Sequence, residues 1–256
     1  MNRLSNNGVI AIVFDLDQTI GDFGAVGMLK DCVDNLYAML KLNKLSNKNA
    51  FDMFDLFPEM FRYNIFDILN QINKINNVIL NVKVYIYTNN NKNKEWVQLI
   101  ADYMSYKLGF NVFTYIVAAY KVDNIQIEAR RTTYEKTLED LLMCTGLTKH
   151  DKICFIDDIY HPKMRRPNIY YINIAPYTHA YDFNNIVKKY HSKYLTSIIP
   201  LNNLTHFMNK QGYFISNTTK SINDIENDKH NSVTLSKCIT NFIINNGKGY
   251  DINKHV

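Results

Sequence analysis

An uninterrupted apolar run from Val9 to Phe14 ends at two carboxylates, Asp15 and Asp17, which are one residue apart. A strand that is apolar at every position has to be buried on both faces, which is typical of a parallel sheet covered by helices. Ligand sites in open α/β sheets lie just beyond the carboxyl ends of the strands. The run therefore predicts a central buried strand and places both aspartates at a cleft.

Further strand and helix patterns alternate along the chain after this run. The strand patterns that end in polar residues or at a proline are Val82–Tyr87, followed by Thr88; Lys152–Ile156, followed by Asp157 and Asp158; and Ile169–Ile174, followed by Pro176. The helical patterns between them are Met28–Leu42, Phe61–Ile75, Glu95–Leu108 and Tyr134–Met143. Strands that alternate with helices predict an α/β fold, a doubly wound parallel sheet with helices on both faces.

One region between the second and third main strands does not fit this alternation. Val112–Tyr120 has the pattern of another strand, with a partner near Asn124–Glu128, which predicts a β insert over residues 110–130. We expect this insert to belong to a core domain of residues 1–195. The same domain is expected to contain a helical insert or small cap at residues 24–80.

The remaining residues, 196–256, are more polar and predict a C-terminal extension with helical pieces. Residues 216–221 and 227–232 are rich in Asn, Ser, Thr and Lys, and this composition predicts loop or mobile linker. The apolar spacing of Leu235–Ile244 predicts a final helix.

Composition limits the kinds of partner and compartment. A formal net charge of +5 weakly favours an anionic partner such as phosphate, a phosphoprotein or nucleic acid, and there is no block of like charge. The four cysteines lack the paired spacing of a zinc site, which favours a reducing compartment. The apolar run Val9–Phe14 is too short for a signal peptide or a membrane span. We therefore expect a soluble intracellular protein, cytoplasmic or nuclear, with no membrane partner.

Four motifs follow one another in a recognisable order. DLDQT at residues 15–19 has the form D-x-D-x-T after an apolar strand, and Thr88 ends the next core strand. Lys136 lies in the helical pattern before an acidic strand, and that strand ends in the acidic pair 157–158. In this order the motifs resemble those of the haloacid dehalogenase (HAD) superfamily of phosphoryl-transfer enzymes.

Two further features are similar to one group within that superfamily. Arg62 at the start of a helical pattern and Trp96 in the following one resemble the small C-terminal-domain phosphatases and NIF-type proteins. Members of that group lack a large cap domain and dephosphorylate Ser or Thr in exposed protein segments. The chain departs from the group at Asp158, where Asn is usual. It also departs at Gly21, because D-x-D-x-T is usually followed by an apolar and then a polar residue.

The resemblance implies a division of labour between the carboxylates. Asp15 is expected to attack the phosphorus atom and form an aspartyl-phosphate, which divides one displacement into two easier ones. Asp17 is expected to act as general acid and then as general base. Mg²⁺ is the expected cofactor because it prefers oxygen ligands, with Asp15, the backbone carbonyl of Asp17, and Asp157 as ligands. Asp158 is expected to bind it through a water molecule.

Binding of the phosphate group is assigned to the second and third motifs. Thr88 and the backbone amide of Asn89 are expected to donate to phosphoryl oxygens, although Thr88 also fits a helix N-cap near Asn93. Lys136 is the expected cation that offsets the charge, and Thr19 is expected to orient the loop after the first strand. The alternative cations are Arg130, Arg131 and Lys121.

Other polar residues receive no role in this interpretation. The histidines show no metal-ligand spacing, and we expect His150, His161 and His179 to lie on the surface. Asn168 and Asn173 are likewise given no function.

The predicted function is a Mg²⁺-dependent phosphatase that hydrolyses a phosphomonoester, with phosphoserine or phosphothreonine in a protein as the favoured substrate. An open site would admit a phosphoprotein or a nucleic-acid end. A cap formed by residues 24–60 would instead favour a small phosphorylated metabolite or nucleotide. An alternative of another class is a catalytically silent HAD-fold module that binds a partner through its acidic cleft or its C-terminal segment.

Overall fold

The computed structural model of the protein describes residues 8–43, 45–79, 81–90, 92, 94–179, 182–213 and 220–247. The strands in this part of the chain are β1 (Ile10–Phe14), β2 (Val82–Tyr87), β3 (Tyr115–Val117), β4 (Lys121–Val122), β5 (Ile125–Gln126), β6 (Lys152–Asp157) and β7 (Ile169–Asn173). The α-helices are α1 (Gly24–Met39), α2 (Asn47–Leu56), α3 (Ile65–Ile79), α4 (Lys94–Leu108), α5 (Leu138–Thr145), α6 (Phe183–Tyr190), α7 (Leu201–Lys210) and α8 (Ile222–Ile244).

Residues in the left-handed region explain two helix ends that differ from the sequence prediction. Lys41 has a φ of +55°, which the α-helical backbone does not allow, so α1 ends before the predicted Leu42. Asn64 has a φ of +56°, and α3 therefore begins after it and not at Phe61. No helix in the described part of the chain is long and apolar enough to cross a membrane.

Five strands form one parallel sheet in the order β3-β2-β1-β6-β7, so that β1 lies in its centre. Phe14, the last residue of β1, pairs with Ile86 of β2 and with Ile156 of β6. Because the strands are parallel and in this register, their carboxyl ends lie side by side at one edge of the sheet. The prediction of an α/β fold with a central parallel sheet is confirmed.

Both faces of β1 are covered, as its apolar sequence requires. Ala11 and Val13 belong to a core that includes Leu141 of α5. Ile12 and Phe14, which point to the other face, are also fully buried. A central strand with no polar face is stable only in such a covered sheet, and this is why the apolar run is continuous.

The β insert differs from its prediction. The pattern at Val112–Tyr120 gives only the short strand β3, which pairs with β2 of the main sheet and not with residues 124–128. The separate antiparallel pair is formed by β4 and β5. Asp123 and Asn124 both have positive φ, +48° and +64°, which is the conformation of a two-residue hairpin turn, and they join these two strands directly.

The chain divides into two compact units. The first unit comprises the described residues up to Ile20, Arg62–Tyr177 and those from Asn227 onward. The second comprises Gly21–Phe61 and Thr178–Glu226. Within the second unit, α6 contacts α1 and α2. Helix α6 is amphipathic, and α1 and α2 cover its apolar side. Segments that are distant in sequence therefore form one unit.

The C-terminal region contains more helix than its polar sequence predicts. Residues 227–232, predicted as loop, belong to α8, while residues 214–219 lie outside the described part of the chain. Asp228 and Ser232 are buried on the same side of α8 as Leu235, and Phe242 stacks on Tyr170 with ring centroids 5.3 Å apart. Burial of this stripe stabilises a helix that composition alone disfavours.

Gly21 lies where the backbone of the second unit comes too close for a side chain. A Cβ atom there would overlap the carbonyl oxygen of Met60 and lie 2.7 Å from the Phe23 ring. We expect Gly21→Ala to lower the free energy of unfolding by about 1–3 kcal/mol, because the neighbouring backbone has to move. The measurement is urea unfolding, with Gly24→Ala as the control, since the nearest atom to a Cβ at Gly24 is 3.7 Å away. Equal stability of both variants would contradict the prediction.

Asp151 ties the start of β1 to the turn before β6. Its carboxylate accepts from the backbone N–H of Val9 at 2.6 Å and of Thr148 at 2.7 Å. Burial alone would raise the pKa of Asp151, but the Thr148 and Val9 N–H donors hold it below its usual value of 3.8. The carboxylate therefore stabilises the fold above pH 3.8, and this contribution is lost as the pH falls through the folded-state pKa.

We expect Asp151→Asn to lose about 1–3 kcal/mol of unfolding free energy at pH 7, and the difference from the wild type to shrink below pH 4. Urea unfolding at both pH values measures this. Asp123→Asn, in an exposed turn that Asn also suits, is the matched control. A difference between Asp151→Asn and the wild type that does not change with pH would show that the charge of Asp151 has no role.

Candidate active site

Three strand ends bring the predicted acidic and hydroxyl residues to one edge of the sheet. Asp15 follows β1, and its N–H donates to the carbonyl of Ile156 in β6 at 2.9 Å. Thr88 follows β2, and its N–H donates to Val117 of β3 at 3.0 Å. Asp157 is the last residue of β6. The parallel ladder thus continues past the ends of the strands and fixes where these side chains start.

Lys136 lies between two of these carboxylates. Its ammonium group donates to Asp15 and, at 2.7 Å, to Asp157 Oδ2. The three residues are nearly inaccessible, with exposed fractions of 7% for Asp15, 2% for Lys136 and 1% for Asp157. We call this group of Lys136, Asp15 and Asp157 the lysine bridge. It places one positive charge against the predicted nucleophile.

The other predicted cations lie elsewhere. Arg131 is buried and donates to backbone carbonyls, among them those of Thr88 and Ala118 at 3.0 Å. Arg130 is exposed and donates to Met143 O at 3.3 Å, and Lys121 lies over the Tyr120 ring at 4.9 Å from its centroid. Of the four candidates, Lys136 is the one that the structure places in contact with Asp15.

The sequence pattern predicts that Lys136 lies within a helix. In the structure, Lys136 precedes the helix. Helix α5 begins at Leu138, and Thr137 is its N-cap, with a side-chain oxygen that accepts from the N–H of Asp140 at 3.1 Å. The predicted start at Tyr134 is therefore wrong by four residues. The cap requires an extended backbone at Thr137, and the helix cannot extend further toward Lys136.

Asp158 completes a group of three carboxylates with Asp15 and Asp157. Each of the three offers an oxygen atom, and these atoms lie within 4.8 Å of one another. Thr19 orients Asp158, because its hydroxyl donates to Asp158 Oδ1 at 3.0 Å and accepts from the Asp158 N–H at 3.1 Å. Three carboxylates against one lysine leave an excess of negative charge. Oxygen donors with such an excess suit Mg²⁺.

Asp17 has a different environment from this cluster. Its Oδ2 accepts from the side-chain amide of Asn90 at 2.7 Å, and the N–H of Asn90 donates to Thr88 Oγ1 at 2.9 Å. The loop after β2 therefore orients the carboxylate of Asp17. Asn89 lies between Thr88 and Asn90 and is exposed. Asn93, which was considered as the start of a helix capped by Thr88, lies outside the described residues, and α4 begins at Lys94.

Two residues that had no predicted role contact the acidic end of β6. His161 was expected on the surface, but its Nε2 lies 3.3 Å from Asp157 Oδ2. Asn173 donates from Nδ2 to the carbonyls of Asp157 and Asp158, both at 3.0 Å. The position of Asn173 at the end of β7, beside Asp157, is a signal that the strand pattern contained. The contact of His161 follows from an irregular turn, which the sequence does not reveal.

Arg62, which was singled out only for its resemblance to one group of phosphatases, supports a loop of the site. It is buried and donates to Thr19 O at 2.6 Å, Gln18 O at 2.7 Å and Ala175 O at 2.8 Å. Gln18 has a φ of +58°, an unusual conformation for a residue other than glycine. The guanidinium group thus holds the loop after Asp17 in a conformation that the loop would not favour alone.

Charge pairing gives the carboxylates different proton affinities. Burial raises the pKa of Asp15 to about 7, with Lys136 lowering it and Asp157 raising it. The pKa of Asp157 is lowered: burial opposes this, but hydrogen bonds from His161 and Lys136 outweigh it. Burial also raises the pKa of Asp158. One lysine therefore does not offset the whole charge of the cluster, and Asp15 takes up a proton as the pH falls through about 7.

Comparison with known proteins gives structural likeness only. A scan against protein-family models finds no matching family, and a search of curated proteins finds no match. A HAD-superfamily hydrolase of subfamily IA from Geobacter sulfurreducens PCA is similar at 13% identity and a TM-score of 0.31, over 58% of this chain and 79% of that one. A variant of the fission yeast RNA polymerase II CTD phosphatase Fcp1, bound to beryllium fluoride, is similar at 15% identity and a TM-score of 0.36, over 94% of this chain and 68% of that one.

The first description names the superfamily that the four motifs resemble, and the second names a CTD phosphatase, the kind of enzyme that Arg62 and Trp96 resemble. At such low identity and TM-score they carry no weight for function.

The raised pKa of Asp15 predicts a pH-dependent stability. Because this pKa, about 7, lies above the usual 3.8, the folded state holds a proton that the unfolded state has already released. The stability contributed by this group is therefore lost as the pH rises from about 4 to about 7. As the pH rises through this interval, we expect the melting temperature of Asp15→Asn to rise relative to that of the wild type. Above the interval, the difference between the two melting temperatures should stay constant.

Thermal unfolding of both proteins in a metal chelator, at intervals from pH 4 to pH 8, measures this difference. Asp67→Asn, at an exposed position of α3, is the control and should follow the wild type at each pH. A melting temperature of Asp15→Asn that falls relative to that of the wild type as the pH rises would contradict the predicted direction.

Proposed function

We propose that the protein is a phosphatase that hydrolyses phosphomonoesters through an aspartyl-phosphate on Asp15. The observation that carries this proposal is the lysine bridge beside Asp158: a buried carboxylate at a strand end, next to one fixed cation and two further carboxylates. A phosphate ester resists attack by a carboxylate because both are negative, so an enzyme has to hold and neutralise both. The arrangement meets this need.

Asp15 is the proposed nucleophile because it is the carboxylate that contacts Lys136 at the end of the central strand. One of its oxygens forms a bond to phosphorus while the bond from phosphorus to the ester oxygen breaks. The leaving oxygen takes a proton from Asp17. In the second step Asp17 takes a proton from water, the water oxygen attacks phosphorus, and the bond to Asp15 breaks to release inorganic phosphate.

Asp17 is the proposed acid and base because its carboxylate follows Asp15 by two residues and contacts the loop after β2. The amide of Asn90 donates to one of its oxygens at 2.7 Å, which fixes the direction of the carboxylate. Thr88, whose backbone lies at the end of β2, is the proposed donor of a hydroxyl hydrogen bond to a phosphoryl oxygen, together with the N–H of Asn89. Lys136 keeps Asp15 in place before the attack and offsets the charge of the transferred group.

The donor set of the site fits Mg²⁺, with Asp15, Asp157, Asp158 and the backbone carbonyl of Asp17 as the residues that would hold it. When bound, the ion would neutralise charge between the phosphate and the carboxylates. Asn173 and His161 support this arrangement, because both contact Asp157. We therefore propose that the activity depends on Mg²⁺.

A phosphorylated Ser or Thr in an exposed protein segment is the favoured substrate class of this proposal. Small phosphorylated metabolites, nucleotides and phosphorylated nucleic-acid ends are the alternatives within the same chemistry, because fold alone does not select among them. Turnover of a panel of phosphopeptides, nucleotides and DNA ends with Mg²⁺ separates these classes. Preferred turnover of a nucleotide or a DNA end would overturn the favoured class and leave the reaction type intact.

We expect Asp15→Asn to abolish turnover, by about 10⁴-fold or more, because the amide cannot form the aspartyl-phosphate. The wild type with Mg²⁺ should bind fluoroberyllate, measured by fluorine NMR, and Asp15→Asn should not. This readout requires no knowledge of the substrate. Asp67→Asn, an exposed aspartate of α3, should retain both properties.

The proposal fails if the wild type turns over no member of the panel and binds no fluoroberyllate. In that case the catalytically silent binding module becomes the better interpretation. Turnover that survives in Asp15→Asn would show that another residue is the nucleophile.

A further inference from the structure

Arg131 joins the loops of the candidate site from inside the fold. Its Nη1 donates to the carbonyls of Thr88 and Ala118, both at 3.0 Å, at the ends of β2 and β3. Its Nη2 donates to three consecutive carbonyls just before Lys136: Thr133 at 3.3 Å, Tyr134 at 3.2 Å and Glu135 at 3.3 Å. One side chain thus binds five carbonyls from three segments.

Arg131 is buried and its side chain is directed at the protein backbone. Only 1% of the residue is exposed, and its guanidinium group lies over the Tyr87 ring, 4.9 Å from the centroid. Both of its terminal nitrogens are occupied by backbone carbonyls.

The backbone that Arg131 binds carries two residues of the proposed mechanism. Thr88 is bound through its own carbonyl, and Lys136 follows directly after the three bound carbonyls. On the other side of Lys136, the N–H of Thr137 donates to the Tyr87 hydroxyl at 3.0 Å. The residues that flank Lys136 are therefore fixed to Arg131 and to Tyr87, the ring beneath Arg131.

We propose that Arg131 is a positioning residue: it fixes Lys136 and Thr88 relative to each other so that both meet the phosphate on Asp15. This inference rests on the proposed phosphatase function. A planar guanidinium with donors in a rigid fork is suited to the task, because it can bind separate carbonyls at once. A lysine has one compact ammonium group and reaches fewer of them.

The test compares Arg131→Lys and Arg131→Ala with Arg130→Lys and Arg130→Ala. Arg130 is the adjacent residue, is exposed, and supplies a matched control. With p-nitrophenyl phosphate and Mg²⁺, we expect both Arg131 variants to lose about 10- to 100-fold in kcat, with KM changed less than about threefold. The reason is that Lys136 and Thr88, once displaced, stabilise the transition state less. The Arg130 variants should match the wild type.

Two further readouts separate positioning from general loss of structure. Added guanidinium ion at millimolar concentration should restore part of the kcat of Arg131→Ala and leave Arg131→Lys unchanged. Amide hydrogen exchange of Arg131→Lys should become faster at residues 132–137 and 88–90, while the strands β1 and β6 keep their protection.

Unchanged kcat in Arg131→Lys, or exchange at wild-type rates in residues 132–137, would overturn the inference. A rise in KM at constant kcat would also overturn it, since that result would mean direct binding of the phosphate. If the wild type itself shows no turnover and no fluoroberyllate binding, the proposed function has failed. Hydrogen exchange then still decides whether Arg131 fixes the segment before Lys136.

Discussion

The contact of one buried ammonium group with two buried carboxylates is the interaction on which the site depends. Asp15, Lys136 and Asp157 are almost inaccessible, and charges in such a place persist only when they are closely paired. The lysine bridge therefore requires the end of β1, the end of β6 and the segment before α5 to lie within hydrogen-bond distance. Because a third carboxylate, Asp158, adds to the negative charge, the bridge pairs charges without neutralising the cluster.

Hydrogen bonds to backbone carbonyls hold the loops around this cluster. Arg62 binds the loop after β1, and Arg131 binds the ends of β2 and β3 together with the segment before Lys136. Both arginines are buried and use the planar fork of donors that distinguishes arginine from lysine. They fix loops that would otherwise be free to move, and they do so without placing another carboxylate in a cluster that already has an excess of negative charge.

The sequence was sufficient to predict the fold where a local pattern is compatible with one kind of structure. The apolar run before Asp15 requires a covered parallel sheet, and the polar ends of the strands follow from it. Patterns were insufficient where burial came from distant segments: residues 227–232 look like a loop but form part of α8, because the Phe242 side of that helix is covered. His161 was missed for another reason, since its contact with Asp157 depends on the irregular turn that joins them. Asn173 was missed although the strand pattern placed it at the end of β7, beside Asp157.

By itself, the sequence determined the central buried strand, the parallel α/β sheet and the meeting of Asp15 and Asp157 at one edge, because the carboxyl ends of parallel strands always share an edge. The tertiary structure alone decided which cation meets them. The sequence favoured Lys136 and left Arg130, Arg131 and Lys121 as alternatives. In the fold, Lys136 contacts Asp15 across 121 residues of chain, while Arg131 turns inward to carbonyls. That choice depends on the fixed path of the segment before α5, where the helix cap at Thr137 and the donors of Arg131 leave Lys136 directed at the carboxylates.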